Sequence, residues 1–276
     1  MNFKWGIILT GLLVGWWTAT AAVAGVSVTS GLTYEKTAVP GGSYTGVIQL
    51  KNTGDAPQEV KVYPTDYLFY ADGRNLYGDP GTAPRSNSGW ITFAPRRLVI
   101  PPKGTAQVDY AVAVPPDDTL AGTYWSMLMV EAVSTASPEA VKQQKDRISF
   151  GISQVMRYGA QMVTQIGDTG TRELKFVRTR FDKAKGRRIL EVDVENTGRQ
   201  WLKPALWVEC YTAAGASAGR FEGGKSRIYP GTSVRFRADL SAVPPGEYKA
   251  LVVADCGGDT LFGAAHTFRF RDAGAP

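Results

Sequence analysis

Residues that could carry out catalysis are scarce in this sequence. The chain has one histidine, His266, in an alternating run near the C-terminus, where a histidine is more often structural than catalytic. A Ser-His-Asp arrangement needs a base beside its nucleophile, and the sequence locates no such pair. Two widely separated cysteines and one histidine match no zinc spacing, and no G-x-x-x-x-G-K phosphate motif is present. The sequence therefore predicts no catalytic residues, no metal site and no cofactor.

The two cysteines, Cys210 and Cys256, are candidates for a disulfide if the protein is exported. Cys210 comes well after the Asn196-Thr197-Gly198 turn, and Cys256 comes just before the Gly257-Gly258-Asp259 turn. In an immunoglobulin-like sandwich these two turns could lie at the same end. The cysteines would then sit at different heights, whereas a disulfide needs Cα atoms within about 7 Å. Both outcomes stay open at the level of sequence.

Aromatic residues that could contact a partner gather in residues 67–90, a segment rich in Gly, Pro and Tyr. They are Tyr67, Phe69, Tyr70 and Tyr77. Exposed tyrosine clusters favour contact with a protein or a glycan. The alternative is that these rings attach a long loop to the sheet beneath it.

Basic residues are frequent in residues 172–188. They are Arg172, Lys175, Arg178, Arg180, Lys183, Lys185, Arg187 and Arg188. Such a stretch could bind an anionic polymer or a lipid head group. The alternative is the solvent-facing side of a hairpin whose buried side carries Phe176 and Phe181.

A third candidate for binding is an alternating run in which Ile148, Phe150 and Ile152 precede Arg157. If this strand has a free edge, its backbone could pair with a partner strand while its side chains fill a groove. An unprotected apolar edge is otherwise a liability. The alternative is an ordinary core strand.

The elements that must position these residues occur twice in the chain. Both copies give a strand, an Asn-Thr-Gly turn, a turn with Pro, Gly and Thr, a Pro-Pro step and a strand that begins near a tyrosine. The turns are Asn52-Thr53-Gly54, Pro102-Lys103-Gly104-Thr105 and Pro115-Pro116 in the first copy, and Asn196-Thr197-Gly198, Pro230-Gly231-Thr232 and Pro244-Pro245 in the second. Period-2 alternation between the turns predicts strands with one buried face. We therefore predict two tandem immunoglobulin-like β-sandwich domains, at residues 25–166 and 171–272.

The first residues have the pattern of a secretory signal. Lys4 provides the positive charge, residues 6–17 are apolar, and Ala22-Val23-Ala24 is an A-x-A cleavage site. The apolar run is shorter than the ~20 residues that span a bilayer. Residues 1–24 are thus predicted to be a signal peptide, and the protein periplasmic or, alternatively, secreted or at the cell surface. The net charge of +6 favours anionic partners only weakly and does not indicate a nucleic-acid binder.

Two stretches give the chain a family resemblance. Residues 91–104, with Val114-Pro115-Pro116 and Tyr124-Trp125-Ser126-Met127-Leu128, resemble the N-terminal domain of periplasmic pilus-assembly chaperones. The chain is also similar to two-domain surface proteins that interact with WxL proteins, through Asp72-Gly73-Arg74-Asn75-Leu76-Tyr77 and Ala121-Gly122-Thr123.

The resemblance implies a non-enzymatic binding protein for secreted or surface proteins. Pilus chaperones hold their subunits with the last strand of the first domain and grip the subunit carboxylate with two cationic side chains. Arg157 falls in the strand that would supply one of these, whereas residues 26–34 contain no Arg or Lys for the other. The function expected is a chaperone or assembly factor that acts through a strand edge. The alternative is an adhesion module that binds the cell surface or a cell-wall polymer.

Overall fold

Strands make up most of the computed structural model, which describes residues 25–133, 156–182 and 187–270. The helical structure within these ranges is a 3-10 turn at Ser88–Trp90. The predicted all-β fold is confirmed, since the strands form two sandwiches that follow one another along the chain. Residues 1–24, predicted to be a signal peptide, lie outside the described residues, as do Ile148, Phe150 and Ile152.

The first sandwich consists of a four-stranded and a six-stranded sheet. In spatial order, the four-stranded sheet contains β1 (Val26–Val28), β3 (Ser43–Asn52), β8 (Thr105–Ala113) and β6 (Ile91–Ala94). The six-stranded sheet contains β2 (Thr33–Ala38), β10 (Arg157–Ile166), β9 (Gly122–Ala132), β4 (Gln58–Phe69) and β5 (Asn75–Gly78), and β7 (Arg97–Ile100) pairs with the start of β4. Alternation places the core as predicted, because Val108 and Val112 are fully buried while Gln107 and Asp109 face solvent.

The second sandwich packs a three-stranded sheet on a four-stranded sheet. The three-stranded sheet contains β11 (Leu174–Asp182), β12 (Ile189–Asn196) and β15 (Ser233–Asp239). The four-stranded sheet contains β14 (Ser217–Lys225), β13 (Ala205–Thr212), β16 (Gly246–Asp255) and β17 (Leu261–Phe270). The chain passes between the sandwiches after β10 ends at Ile166 and before β11 begins at Leu174. The predicted domain limits, 25–166 and 171–272, stay predictions.

The repeated Asn-Thr-Gly turn has the same structural role in both sandwiches. Asn52 and Asn196 are buried, and each amide Nδ2 donates to the carbonyl of an isoleucine across the sandwich, Ile100 at 3.1 Å and Ile228 at 2.9 Å. Each Nδ2 also donates to the carbonyl four residues further on, at 2.8 and 2.7 Å. Each Oδ1 accepts the N–H two residues further on, at 2.8 and 2.9 Å. The asparagine satisfies buried backbone groups that water cannot reach.

Tyr229 is buried in the contact between the two sandwiches. Its ring stacks on Trp125 of β9 with centroids 4.9 Å apart and planes 12° apart, and it meets Phe69 edge-on at 6.1 Å. Its hydroxyl donates to Gln161 Oε1 at 2.9 Å. Burial raises the pKa of Tyr229, so the phenol keeps the proton that it donates.

Backbone contacts hold the sandwiches together beside Tyr229. The N–H of Thr123 donates to the carbonyl of Arg199 at 2.7 Å, and the N–H of Trp201 donates to Thr123 Oγ1 at 2.8 Å. Gly122 has φ +76°, and a Cβ there would lie 2.0 Å from the Arg199 carbonyl oxygen. Only glycine therefore fits at the start of β9.

Cys210 and Cys256, the candidates for a disulfide, are both free cysteines. Cys210 is buried in the core and pairs with Ala250, while Cys256 follows Asp255, the partner of Ala205 at the other end of β13. The two cysteines are thus separated by about six residues of strand, or roughly 20 Å. That distance is far beyond the reach of a disulfide.

Candidate binding site

The outer edge of β10 is only partly covered. Strand β2 runs parallel to β10 and pairs with Gln161–Ile166, beginning where the N–H of Gln161 donates to the Leu32 carbonyl at 2.8 Å. Upstream of this point, Arg157–Ala160 pair with β9 alone among the described residues. Because alternate residues direct their N–H groups to the same side, the N–H groups of Arg157 and Gly159 point to this open edge.

Beside the open edge, two methionines of β9 lie close to Gly159 of β10. A Cβ on Gly159 would lie 2.8 Å from Met127 Sδ and 3.4 Å from Met129 Sδ. Both methionines are almost fully buried. Because Gly159 has no side chain, a partner backbone could approach β10 closely at this position.

Arg157 belongs to a charged cluster at this end of β10. Glu131, in register with it on β9, accepts from Arg157 Nε at 2.8 Å, from Lys61 Nζ at 2.8 Å and from the Tyr63 hydroxyl at 2.7 Å. Burial alone would raise the pKa of Glu131, but hydrogen bonds from Lys61 and Tyr63 and the charge of Arg157 hold it below its usual range. Two cations share one carboxylate, so the cluster keeps one positive charge.

A cleft of about 550 Å³ lies between the sandwiches and near this edge. Three of the four predicted aromatic residues line it, and its opposite wall is basic. The lining includes Tyr67, Phe69, Tyr70, Gln161, Arg227, Tyr229, Arg235 and Arg237. The fourth aromatic, Tyr77, is 60% exposed on β5 and packs on Tyr67 with ring centroids 5.1 Å apart.

The same aromatic residues also attach the β4–β5 hairpin to the sheet. The Tyr67 carbonyl accepts from Trp125 Nε1 at 2.9 Å, and the Tyr67 hydroxyl donates to Asn75 Oδ1 at 2.7 Å. These rings therefore attach the hairpin to the sheet and also form part of the cleft wall. A role in binding a partner stays a prediction.

Sequence reasoning missed the arginines of the cleft. Arg227 forms an ion pair with Glu35 at 3.0 Å and lies over the Trp201 ring at 3.9 Å. Arg235 and Arg237 alternate with the buried residues Phe236 and Ala238 on β15. Their orientation toward the cleft depends on how the second sandwich docks through Tyr229, for which no local sequence signal exists.

Three residues of the predicted basic stretch make ion pairs with nearby acids. Arg172 Nη2 lies 2.7 Å from Asp168, and Arg180 Nε donates to Glu191 at 2.7 Å. Arg187 pairs with Asp239. Lys183 and Lys185 lie outside the described residues. Paired charges of this kind are expected on the solvent-facing side of a hairpin, and binding of an anion stays a prediction.

His266 has a structural environment. Its Nε2 lies 3.3 Å from Thr179 Oγ1, and its ring stacks on Phe268 with centroids 5.8 Å apart. Burial lowers the pKa of His266. Across the described residues, no group of three His, Cys, Asp or Glu side chains could hold a metal ion. In that same part of the chain, no helix is long and apolar enough to cross a membrane.

Several solved structures are similar to this chain. One is a chaperone–tip adhesin complex of CFA/I fimbriae, at 13% identity, covering 89% of this chain and 98% of that one with a TM-score of 0.46. Another is the CsuC–CsuE pre-assembly complex of archaic chaperone-usher Csu pili from Acinetobacter baumannii, at 12% identity, 88% and 98% coverage and a TM-score of 0.44. A third is the E. coli chaperone DraB, at 14% identity, 87% and 96% coverage and a TM-score of 0.40. No family model and no curated protein matches the sequence.

Proposed function

We propose that this chain is a non-enzymatic, chaperone-like binding protein that holds secreted or surface proteins of the fimbrial type. The observation that carries the proposal is the open edge of β10 over Arg157–Ala160, which lies near the cleft between the sandwiches. An exposed strand edge of this kind is normally covered or blunted. Among the described residues, no strand pairs with the outer edge of Arg157–Ala160.

The binding mode would be strand addition. A client strand would accept from and donate to the outward N–H and carbonyl groups of Arg157 and Gly159. Ile148, Phe150 and Ile152, which precede this edge in the sequence, would extend the same pairing. The positive charge left on the Glu131 cluster would favour a client with a carboxylate at this end.

The proposed compartment is the periplasm. Two points support this compartment. Residues 1–24 have the pattern of a secretory signal, and the client proposed above is a secreted or surface protein.

A pair of substitutions at Gly159 tests the proposal. Gly159→Pro removes the outward N–H but leaves the β9 ladder intact, as proline on an edge strand does. Gly159→Ala is the matched control, because it adds the same Cβ against Met127 and keeps the N–H. Each variant is expressed with its own leader and a tag, and the secreted proteins that co-purify are quantified.

We expect Gly159→Ala to retain its clients and Gly159→Pro to lose them, with equal thermal unfolding of the two variants. Equal recovery by both variants would show that this edge is not the binding site. Phe150→Glu extends the test upstream, where unchanged recovery with an intact fold would exclude that part of the strand.

The alternative function, adhesion to a cell surface or wall polymer, stays a prediction from the sequence. Co-sedimentation with purified cell wall distinguishes the two, because a chaperone-like protein would show no salt-sensitive binding to the polymer.

A further inference from the structure

Strand β17 forms one side of the four-stranded sheet in the second sandwich. Within the described ranges it pairs with β16 alone, so its outer edge is open. The pairing with β16 runs in one continuous register from Leu261 to Phe270, with no bulge. The strand contains no proline, and Arg269 is its single Asp, Glu, Lys or Arg. β17 is therefore a long and regular edge with little charge.

The strands at the other sheet ends each carry a feature that discourages pairing. β1, β5, β6 and β7 are only three or four residues long. β11 and β14 contain register shifts, and β2 and β15 carry charged side chains in mid-strand. Short, bulged or charged edges are how native proteins avoid edge-to-edge association. Because β17 lacks these features, we expect a strand of a partner to cover it.

The hydrogen bonds of the β16–β17 hairpin indicate which residues face the open edge. The N–H of Cys256 donates to the Thr260 carbonyl at 3.0 Å. In an antiparallel ladder the hydrogen-bonded pairs recur at every second residue, so the even-numbered residues of β17 bond to β16. The N–H and carbonyl groups of Gly263, Ala265 and Thr267 therefore point away from β16.

The side chains of these three residues lie on the outer face of the sheet. The odd-numbered residues of β17 are exposed, whereas the even-numbered ones are half-buried or buried. Gly263, Ala265 and Thr267 are small, so a second backbone could approach this edge closely. Leu251, which faces Ala265 from β16, is 39% exposed, and Leu261 is 62% exposed. The middle of the edge is thus apolar and low.

The two ends of the β16–β17 hairpin have opposite charge. Five residues of the hairpin are charged. Glu247, Lys249 and Arg269 lie at the end where β16 begins and β17 ends, whereas Asp255 and Asp259 lie at the turn. The first end therefore carries a net charge of +1 and the turn a net charge of −2.

We propose that β17 pairs with β17 of a second copy of this chain, antiparallel and about a two-fold axis at Ala265. Ala265 would face the partner's Ala265, and Gly263 would face the partner's Thr267. Each of these residues has its N–H and carbonyl groups free, so the two strands could exchange backbone hydrogen bonds along the edge. The two four-stranded sheets would become one sheet of eight strands.

The distribution of side chains favours a second copy as the occupant. Antiparallel pairing brings the acidic turn of one hairpin to the basic end of the other, and Arg269 would lie diagonally across from the partner's Asp259. The aliphatic stem of Arg269 would cover the partner's exposed Leu261. At the axis, the two alanines would lie between the two Leu251 side chains. No like charges face each other in this register.

The proposed dimer leaves the β10 edge free. β17 belongs to the second sandwich and β10 to the first. Self-association through β17 therefore does not depend on the proposed chaperone-like function, and each can fail without the other.

Sedimentation velocity of the mature protein over a range of concentrations tests the dimer. A single pair of strand edges is a small interface, so we expect a dissociation constant on the order of 10 μM. Ala265→Lys places two ammonium groups face to face at the axis and should weaken the dimer at least about tenfold. Val99→Lys is the control, because it adds the same charge at a 62% exposed position on β7, and it should change the constant less than about twofold. Thermal unfolding checks that both variants fold.

A cross-link tests the register. Hydrogen-bonded residues that face each other in an antiparallel pair have Cα atoms about 5.5 Å apart, which is within the range of a disulfide. Ala265→Cys is made in a Cys256→Ser background, and Val99→Cys in the same background is the control. We expect mild oxidation to convert the Ala265→Cys protein into a covalent dimer and to leave the Val99→Cys protein monomeric.

Three outcomes would overturn the proposal. They are a wild-type protein that stays monomeric up to about 1 mM, equal weakening by the two lysine substitutions, and equal cross-linking of the two cysteine variants. A wild-type monomer whose co-purified secreted client is lost on Ala265→Lys would also overturn it and would assign this edge to the client.

Discussion

The buried asparagines of the repeated turn provide a quantitative test of how the sequence specifies this fold. Asn196→Ala removes three hydrogen bonds, two that its Nδ2 donates and one that its Oδ1 accepts, all in a buried position. At about 1 kcal/mol net for each bond, the free energy of unfolding should fall by about 3 kcal/mol. The same change at Asn52 should cost a similar amount, because its bonds are equivalent.

The assay is urea unfolding followed by circular dichroism, with the midpoint and slope compared between variants. Gln49→Ala is the control, because this amide side chain is exposed on β3, and it should cost less than about 0.5 kcal/mol. Asn196→Asp keeps the shape but replaces two donated bonds with repulsion between oxygens, so it should be at least as harmful as alanine. A loss below about 0.5 kcal/mol for Asn196→Ala would refute the reasoning.

Three further predictions concern the interface, acid stability and the thiols. Tyr229→Ala should lower the free energy of unfolding by about 3–5 kcal/mol, because it removes the ring that stacks on Trp125. Tyr229→Phe keeps the ring and loses only the hydroxyl's hydrogen bond, so it should cost about 1 kcal/mol. Thermal unfolding of the two variants compares these losses. Burial raises the pKa of Glu191, but hydrogen bonds from its arginines outweigh this and leave it below the usual 4.5. The ionised carboxylate of Glu191 therefore contributes its full stabilisation above about pH 4.5, and this contribution is lost as the pH falls through the pKa of Glu191 in the folded state. Glu191→Gln should therefore make the free energy of unfolding depend less steeply on pH in acid. An unchanged dependence on pH would contradict this prediction. Mass spectrometry without reductant should find two free thiols, with Cys256 alkylated before the buried Cys210, and a mass lower by two hydrogens would instead reveal a disulfide.

Some parts of the fold follow from the sequence because they depend on short patterns. The alternation of Val108 and Val112 with polar neighbours identified a strand and its buried face, and the duplicated turns indicated two sandwiches. The role of Asn196 was less visible, because its bonds to distant carbonyls exist only once the two sheets are packed.

The candidate site was harder to predict than the fold because it is assembled from separate strands. Arg157 was identified, but its partner Glu131 lies in an otherwise apolar run, and burial of that carboxylate depends on Lys61 from a third strand. The arginines of the cleft lie on the predicted polar side of β15, yet only the docking of Tyr229 on Trp125 brings them opposite the tyrosine hairpin.

Amide hydrogen exchange at the open edge of β10 is the most direct test of client binding by strand addition. The N–H groups of Arg157 and Gly159 should exchange at least about tenfold more slowly when a co-purified client is bound, because they would then donate to its backbone. The N–H of Tyr158, which faces β9, should change little. Unchanged exchange at Gly159 in an intact complex would contradict the proposed binding mode.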